Sequence, residues 1–169
     1  MILVTGATGH IGNVLVRELV CRGEHVRALI LPGEDRKPIQ DVNVEIVEGD
    51  ILDSVSLEKA IDGIDIVYHL AGLISILPGA NDRMWKVNVE GTKNVIQACL
   101  KGGVKRMVYT SSIHALKRVP NGIPIDEKLP FDPDNPAGEY DRTKAAASVA
   151  VLNAVREQGL DAVIICPTG

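Results

Sequence analysis

Apolar residues in this chain fall in short runs that alternate with longer stretches of helical spacing. Residues 2–5 (ILVT) read as a first strand. Residues 11–23 place apolar side chains at 11, 14, 15, 19 and 20, one face of a helix, with Gly23 just past its end. Residues 25–31 and 42–50 carry second and third strands. Residues 53–63 begin on the capping candidates Asp53 and Ser54 and stop at Gly63, which predicts a helix. A fourth strand lies in 65–70, a long helix closed by glycines in 83–103 and a fifth strand in 105–112. A second long helix spans 138–159, and a sixth strand, read as buried, spans 162–166. Strands apolar on both faces and separated by helices predict an α/β fold, a doubly wound parallel sheet of about six strands with helices on both faces. No repeat or linker divides residues 1–169, so they read as one unit.

One stretch breaks this pattern. Residues 114–138 carry five prolines and exceed the length of an ordinary loop. A lid or substrate-facing role is the expectation for them.

Composition narrows the picture. Aromatics are only 3% against 46% hydrophobic residues, so the core must be built from Val, Ile, Leu and Ala in close helix-on-sheet layers. The net charge of −4 is spread without a basic stripe, which argues against nucleic acid or an anionic membrane surface as partner. No apolar run reaches the roughly 18 residues that a membrane span needs. The chain enters its first strand without a basic leader. Cys21, Cys99 and Cys166 lack C-x-x-C spacing and read as reduced core thiols of a cytoplasmic protein. No ligand cluster surrounds His69, so no metal site is expected there.

The candidate chemistry begins directly after the first strand. Gly6, Gly9 and Gly12 stand three apart in TGATGHIG, just before a helix. Glycines there let backbone N–H groups approach a pyrophosphate, and a helix N-terminus adds about half a positive charge. An acid is expected about 20 residues on, at the end of the second strand, to bind a ribose 2′-hydroxyl. The count lands on Leu31 and Pro32, with Glu34 and Asp35 slightly later. Arg27, Arg36 and Lys37 are candidates for a 2′-phosphate, so the cofactor reads as NAD or NADP. Asp50 sits after the third strand, where an adenine could be held or a turn capped.

In YDRTK, Tyr140 and Lys144 share one helix face at i and i+4. An ammonium about 4 Å from a tyrosine, at an effective dielectric of about 20, is worth roughly 4 kcal/mol, or about three pKa units. That would bring a phenol of pKa about 10 toward neutrality, where proton transfer is efficient. Ser111 and Ser112 lie at the carboxyl end of the fifth strand, where ligands of such sheets bind. His114 reads as a loop residue near substrate.

Together TGATGHIG, GDILD, YHLAG, NVEGT, VYTSS, YDRTK and the terminal CPTG resemble the short-chain dehydrogenase/reductase superfamily. More narrowly they resemble its extended branch, the NAD-dependent epimerase/dehydratase family, with its Rossmann-type sheet. The resemblance implies that Gly6, Gly9 and Gly12 cradle the pyrophosphate, with His10 and Ile11 beside it at the helix start. Asp50 and Ile51 would contact adenine, and Leu70, Ala71 and Gly72 would line the ribose side. Asn88 would brace the active-site end of the sheet beside the cofactor, and Pro167 would approach the nicotinamide. Ser112 would orient a substrate carbonyl and Tyr140 would be the acid/base. Lys144 would lower the Tyr140 pKa and hold the nicotinamide ribose. The implied reaction is hydride transfer on a hydroxyl or carbonyl compound, a nucleotide sugar among the candidates. The resemblance also implies a homodimer through the two long helices, and continuation past Gly169 into the part that selects substrate. On that expectation the sequence holds a nucleotide-binding half, and the stretch 73–83 says little about substrate. A non-catalytic dinucleotide-binding or redox-sensing protein is the competing reading; it leaves Ser112, Tyr140 and Lys144 without a purpose.

Overall fold

The computed structural model describes residues 1–74, 81–120 and 122–168. Six parallel strands form one sheet: β1 (Ile2–Thr5), β2 (Val26–Ile30), β3 (Glu45–Glu48), β4 (Ile66–His69), β5 (Arg106–Thr110) and β6 (Ala162–Ile165). Their order is β3-β2-β1-β4-β5-β6. The chain therefore winds outward from β1 in one direction, then from β4 in the other. The carboxyl ends of β1 and β4 flank the crevice that this reversal opens, the place where ligands of open α/β sheets bind.

Each face of the sheet has its own core. Leu3, Leu29, Val67, Met107 and Tyr109 point to one side. They are covered there by α2 (Ser54–Ile61), α4 (Gly91–Gly102) and α5 (Glu139–Gln158). Ile2, Val4, Ala28 and Ile30 point to the other, under α1 (His10–Cys21) and a short 3-10 turn, Lys37–Ile39. Strand β1 is buried at every position, which is why ILVT shows no alternation.

Three sequence expectations need correction. The face of α1 that packs on the sheet is Gly12, Leu15, Val16, Leu19 and Val20, while Ile11 and Val14 are 51% and 60% exposed. Strand β6 is an edge strand, not a buried one: Val163 and Ile165 alternate outward at 46% and 47% exposure. Of the three cysteines only Cys99 is a core thiol, its pKa pushed up to about 12 by burial; Cys21 is exposed and Cys166 half-buried.

The helix expected over 83–103 has internal structure. It comprises α3 (Asn81–Trp85), a π-helical turn (Lys86–Glu90) and α4. Asn88 lies inside the π turn, a distortion that often marks functional sites. Asp53 caps α2 as expected, accepting from the N–H groups of Val55 and Ser56. The proline-rich 114–138 segment is an excursion pinned at its base. Leu116 bridges Phe131, and the buried Asn135 amide donates to the carbonyls of His114 and Leu116. Among the described residues, no helix is long and apolar enough to cross a membrane.

Candidate active site

The glycine turn between β1 and α1 is built by close backbone approach. Gly6 adopts φ +69°, and a Cβ there would lie 2.7 Å from the Ala71 nitrogen at the end of β4. A Cβ on Gly12 would lie 2.0 Å from the Gly6 carbonyl oxygen. Gly9 is the N-cap of α1, with no side-chain cap and no acid in the first turn. The first N–H groups of this helix therefore stay available to an anion.

Gly6 and Gly9 border a cavity of about 580 Å³ at the carboxyl ends of β1, β2, β3 and β4. Gly6, Gly9, Asp50, Ile51, Leu70, Ala71 and Gly72 all line it. His10 and Ile11 begin α1 as expected but do not line the cavity. Asp50 does both things weighed for it: it faces the cavity, and its carboxylate accepts from the N–H of Leu52 to shape the turn. Ile51 is held from behind. A Cβ on Gly91 would sit 2.5 Å from its Cδ1, and the Asn94 amide donates to its carbonyl.

Gly72 joins this cavity to the reacting groups. A Cβ placed there would lie 3.3 Å from Asn88 Oδ1 and 4.0 Å from Lys144 Nζ. Both ends of the Asn88 amide are held by protein. Its Oδ1 accepts from the N–H of Leu73 at 2.7 Å, and its Nδ2 donates to the Leu73 carbonyl and to Thr143 Oγ1. It thus braces the loop after β4 against α5. The stretch 73–83 lies partly outside the described residues, at 75–80.

Lys144 is 6% exposed, and among the described residues its ammonium pairs with no acid. It donates to the Thr110 carbonyl at 2.6 Å and stands 4.6 Å from the centre of the Tyr109 ring. Burial lowers its pKa to about 8. The Tyr140 pKa is raised, not lowered: burial dominates, the Ser112 hydroxyl opposes it, and Asp141 adds to it. The expectation from i,i+4 spacing is corrected here, because the strand carbonyl at Thr110 captures the ammonium. Tyr140 accordingly keeps its proton at neutral pH.

The two serines differ in what their hydroxyls can do. Ser148 Oγ donates to the Lys144 carbonyl, so Ser111, 2.7 Å away, must donate its proton to Ser148. Ser112 Oγ accepts from the N–H of His114, which leaves its own proton free. Pro167 lies beside it, its carbonyl accepting from the N–H of Ile113.

A buried polar chain supports this geometry. The N–H of Ala71 donates to Thr5 Oγ1, which contacts His69 Nδ1 at 2.7 Å; His69 Nε2 contacts Thr92 Oγ1, which donates to the Asn88 carbonyl. Since Thr92 spends its one proton on Asn88, His69 must carry its proton on Nε2. Burial holds the imidazole pKa down at about 3, with the Lys144 charge a lesser cause, so it stays neutral. Both ring nitrogens are thus engaged by threonine hydroxyls. Thr5, Thr92, Thr143 and Ser148 escaped the sequence reading, since isolated hydroxyls carry no pattern.

The buried Lys144 gives a testable pH dependence. Its pKa falls from 10.5 in the unfolded chain to about 8 in the fold. Between these values the unfolded chain binds more protons, so the lysine's destabilisation is complete below pH 8 and disappears as pH rises through 10.5. Lys144→Met is expected to stabilise the chain by about 2 kcal/mol at pH 7 and by little at pH 10. Urea midpoints at both values check this; equal shifts would contradict it.

A model of the NAD dependent epimerase/dehydratase family matches residues 2–168, and the chain belongs to that family. It is 41% identical over 166 residues to sterol demethylase protein B of Methylococcus capsulatus, covering 98% of this chain and 50% of that protein. It is 36% identical over 174 residues to a 3 beta-hydroxysteroid dehydrogenase/Delta 5-->4-isomerase of Mycobacterium tuberculosis, covering 98% and 45%. The Thermus thermophilus UDP-glucose 4-epimerase, solved in complex with NAD, superposes with a TM-score of 0.85 at 29% identity, over 98% of this chain and 54% of that one. The chain thus spans about half the length of the relatives it matches.

Proposed function

We propose that this chain is the dinucleotide-binding and acid/base part of an NAD-dependent oxidoreductase or epimerase/dehydratase acting on a hydroxyl or carbonyl group. The observation that carries this reading is the junction at Gly72, where the glycine-lined cavity meets the Lys144 ammonium. The cradle suits a dinucleotide: a Cβ at Gly6 or Gly12 would collide with the backbone that shapes the turn, and the first turn of α1 offers unclaimed N–H groups. NAD, when bound, supplies the hydride chemistry at its nicotinamide ring. Gly6 and Gly9 would hold the pyrophosphate, and Asp50 and Ile51 the adenine end.

The rest of the chemistry belongs to the chain. Ser112 donates its free proton to a substrate carbonyl and fixes its orientation. Tyr140, protonated at neutral pH, delivers a proton to that oxygen as the carbonyl becomes an alcohol. In the reverse direction a deprotonated Tyr140 takes that proton, a form favoured by the Ser112 hydroxyl. Lys144 keeps its charge below its pKa of about 8 and presents it near Gly72. A homodimer would form over the outward sides of α4 and α5.

Substrates of two kinds merit testing, sterols and nucleotide sugars, because the names of the relatives span both. A panel of each, followed through NADH absorbance with the protein that carries this chain, tests the reading. Turnover that needs Tyr140 supports it; turnover indifferent to Tyr140 contradicts it.

A further inference from the structure

Tyr109, in VYTSS, is 1% exposed on the sheet face covered by α2, α4 and α5. Its hydroxyl is buried and has no hydrogen-bond partner among the described residues. Thr92 lies near it but out of hydrogen-bonding geometry. A buried hydroxyl in that state costs stability. The ring is the part of Tyr109 that has partners. His69 and Tyr109 are register partners on β4 and β5, and their rings stack with centroids 5.5 Å apart and planes 28° from parallel. His69 is itself fixed by Thr5 and Thr92, so it sets the plane of the Tyr109 ring. The Lys144 ammonium stands over that ring, 4.6 Å from its centre.

The buried ammonium has little else to compensate it. One of its three donors goes to the Thr110 carbonyl. Around it stand the neutral His69 on β4 and the Cys166 thiol after β6, whose pKa burial raises. Tyr140 and Asp141 lie on α5, where Asp141 acts on Tyr140. Asp82, Arg83 and Lys86, before α4, and His114, after β5, are exposed. An aromatic face attracts a cation through its quadrupole, most strongly where water is excluded. It does so without adding charge. A buried carboxylate would neutralise the ammonium and bring its own desolvation cost. The ring holds the ammonium and leaves its positive field open toward Gly72.

We propose that Tyr109 is a positioning residue: its ring face, set by the His69 stack, takes the place of a counter-anion and holds the Lys144 ammonium at the cavity edge beside Gly72. Its part in turnover rests on the function proposed above; the contact between ring and ammonium does not.

Ring fluorination tests this, because it withdraws charge from the ring face and nearly preserves its shape. NMR of isotope-labelled lysine reads the Lys144 midpoint, its signal identified by its loss in Lys144→Met. The parent chain is expected to titrate at about pH 8. Tyr109→Phe keeps the face and loses the unpartnered hydroxyl. It should keep the midpoint within about 0.3 and melt no lower than the parent. Pentafluorophenylalanine at position 109 should move the midpoint to about pH 7, an approximately tenfold loss of proton affinity. Tyr109→Leu, which has no ring, should give the same shift and is the independent second variant. The alkaline fall in turnover by the protein that carries this chain should move down with the midpoint. A residue that only packs would alter the melting temperature and leave the Lys144 midpoint in place. A midpoint unmoved by fluorination and by Tyr109→Leu, or one that falls as far in Tyr109→Phe, would overturn the inference and leave the dinucleotide reading standing. NAD titration of the parent chain tests that reading separately, and absence of binding would overturn it whatever the lysine midpoints show.

Discussion

Gly12→Ala is expected to abolish dinucleotide binding and to lower the melting temperature by about 6–12 °C. The added Cβ would fall 2.0 Å from the Gly6 carbonyl oxygen, 2.9 Å from its carbon and 3.0 Å from Ala7 Cα. All three are backbone atoms, so no side chain can swing aside. Gly6 cannot retreat either, because it already lies against the backbone of Leu70 and Ala71. The remaining response is for α1 to move off the turn, which parts its N-terminus from the cavity and loosens Val16 and Leu19 from the second core. Such overpacking costs about 3 kcal/mol. Gly9→Ala is the informative contrast: its Cβ would meet only the Gly6 oxygen, at 3.2 Å. It should fold nearly as well as the parent chain. Thermal melts and NAD titration of both variants check the pair, and a Gly12→Ala protein that binds normally would contradict this description of the turn.

Tyr140→Phe is expected to reduce kcat by about 10²–10⁴ while leaving the NAD dissociation constant within about threefold. The substitution removes one half-buried hydroxyl, keeps the ring and leaves the carbonyl of residue 140 free to accept from Thr143 Oγ1. The fold of α5 should therefore be unchanged. A group that donates or takes a proton in the transition state affects kcat; a group that only packs would change stability or binding instead. Steady-state kinetics beside a binding titration separates the two, and unchanged turnover would remove Tyr140 from the acid/base role.

Much of this arrangement was legible in the sequence, for identifiable reasons. Strands buried on both faces read as apolar runs, so β1 and β2 were found almost to the residue. The glycine spacing located the turn because only glycine fits where Gly6 and Gly12 approach backbone. What failed depends on contacts that spacing does not contain. Counting apolar positions in α1 included Ile11 and Val14, which face outward. The π turn follows from Asn88 reaching Leu73 and Thr143, residues distant in the chain. The i,i+4 pairing of Tyr140 with Lys144 placed both on one helix but could not show that Thr110, on β5, would take the ammonium. Counting twenty residues from Gly12 ends at Leu31 and Pro32 and could not show that the reversal at Pro32–Gly33 folds the later Glu34 back onto the N–H of Leu31.

The central claim is that the cavity between the glycine turn and β4 binds a dinucleotide. Amide NMR of the labelled chain during NAD titration tests it directly. The account predicts saturable shifts at Gly6, Gly9, Asp50, Ala71 and Gly72. A larger groove of about 950 Å³, lined by Leu116, Ile125, Leu152 and Ile164 among others, lies between the 114–138 excursion, α5 and β6, and should stay silent. No saturable shift at millimolar NAD, or shifts confined to that groove, would contradict it.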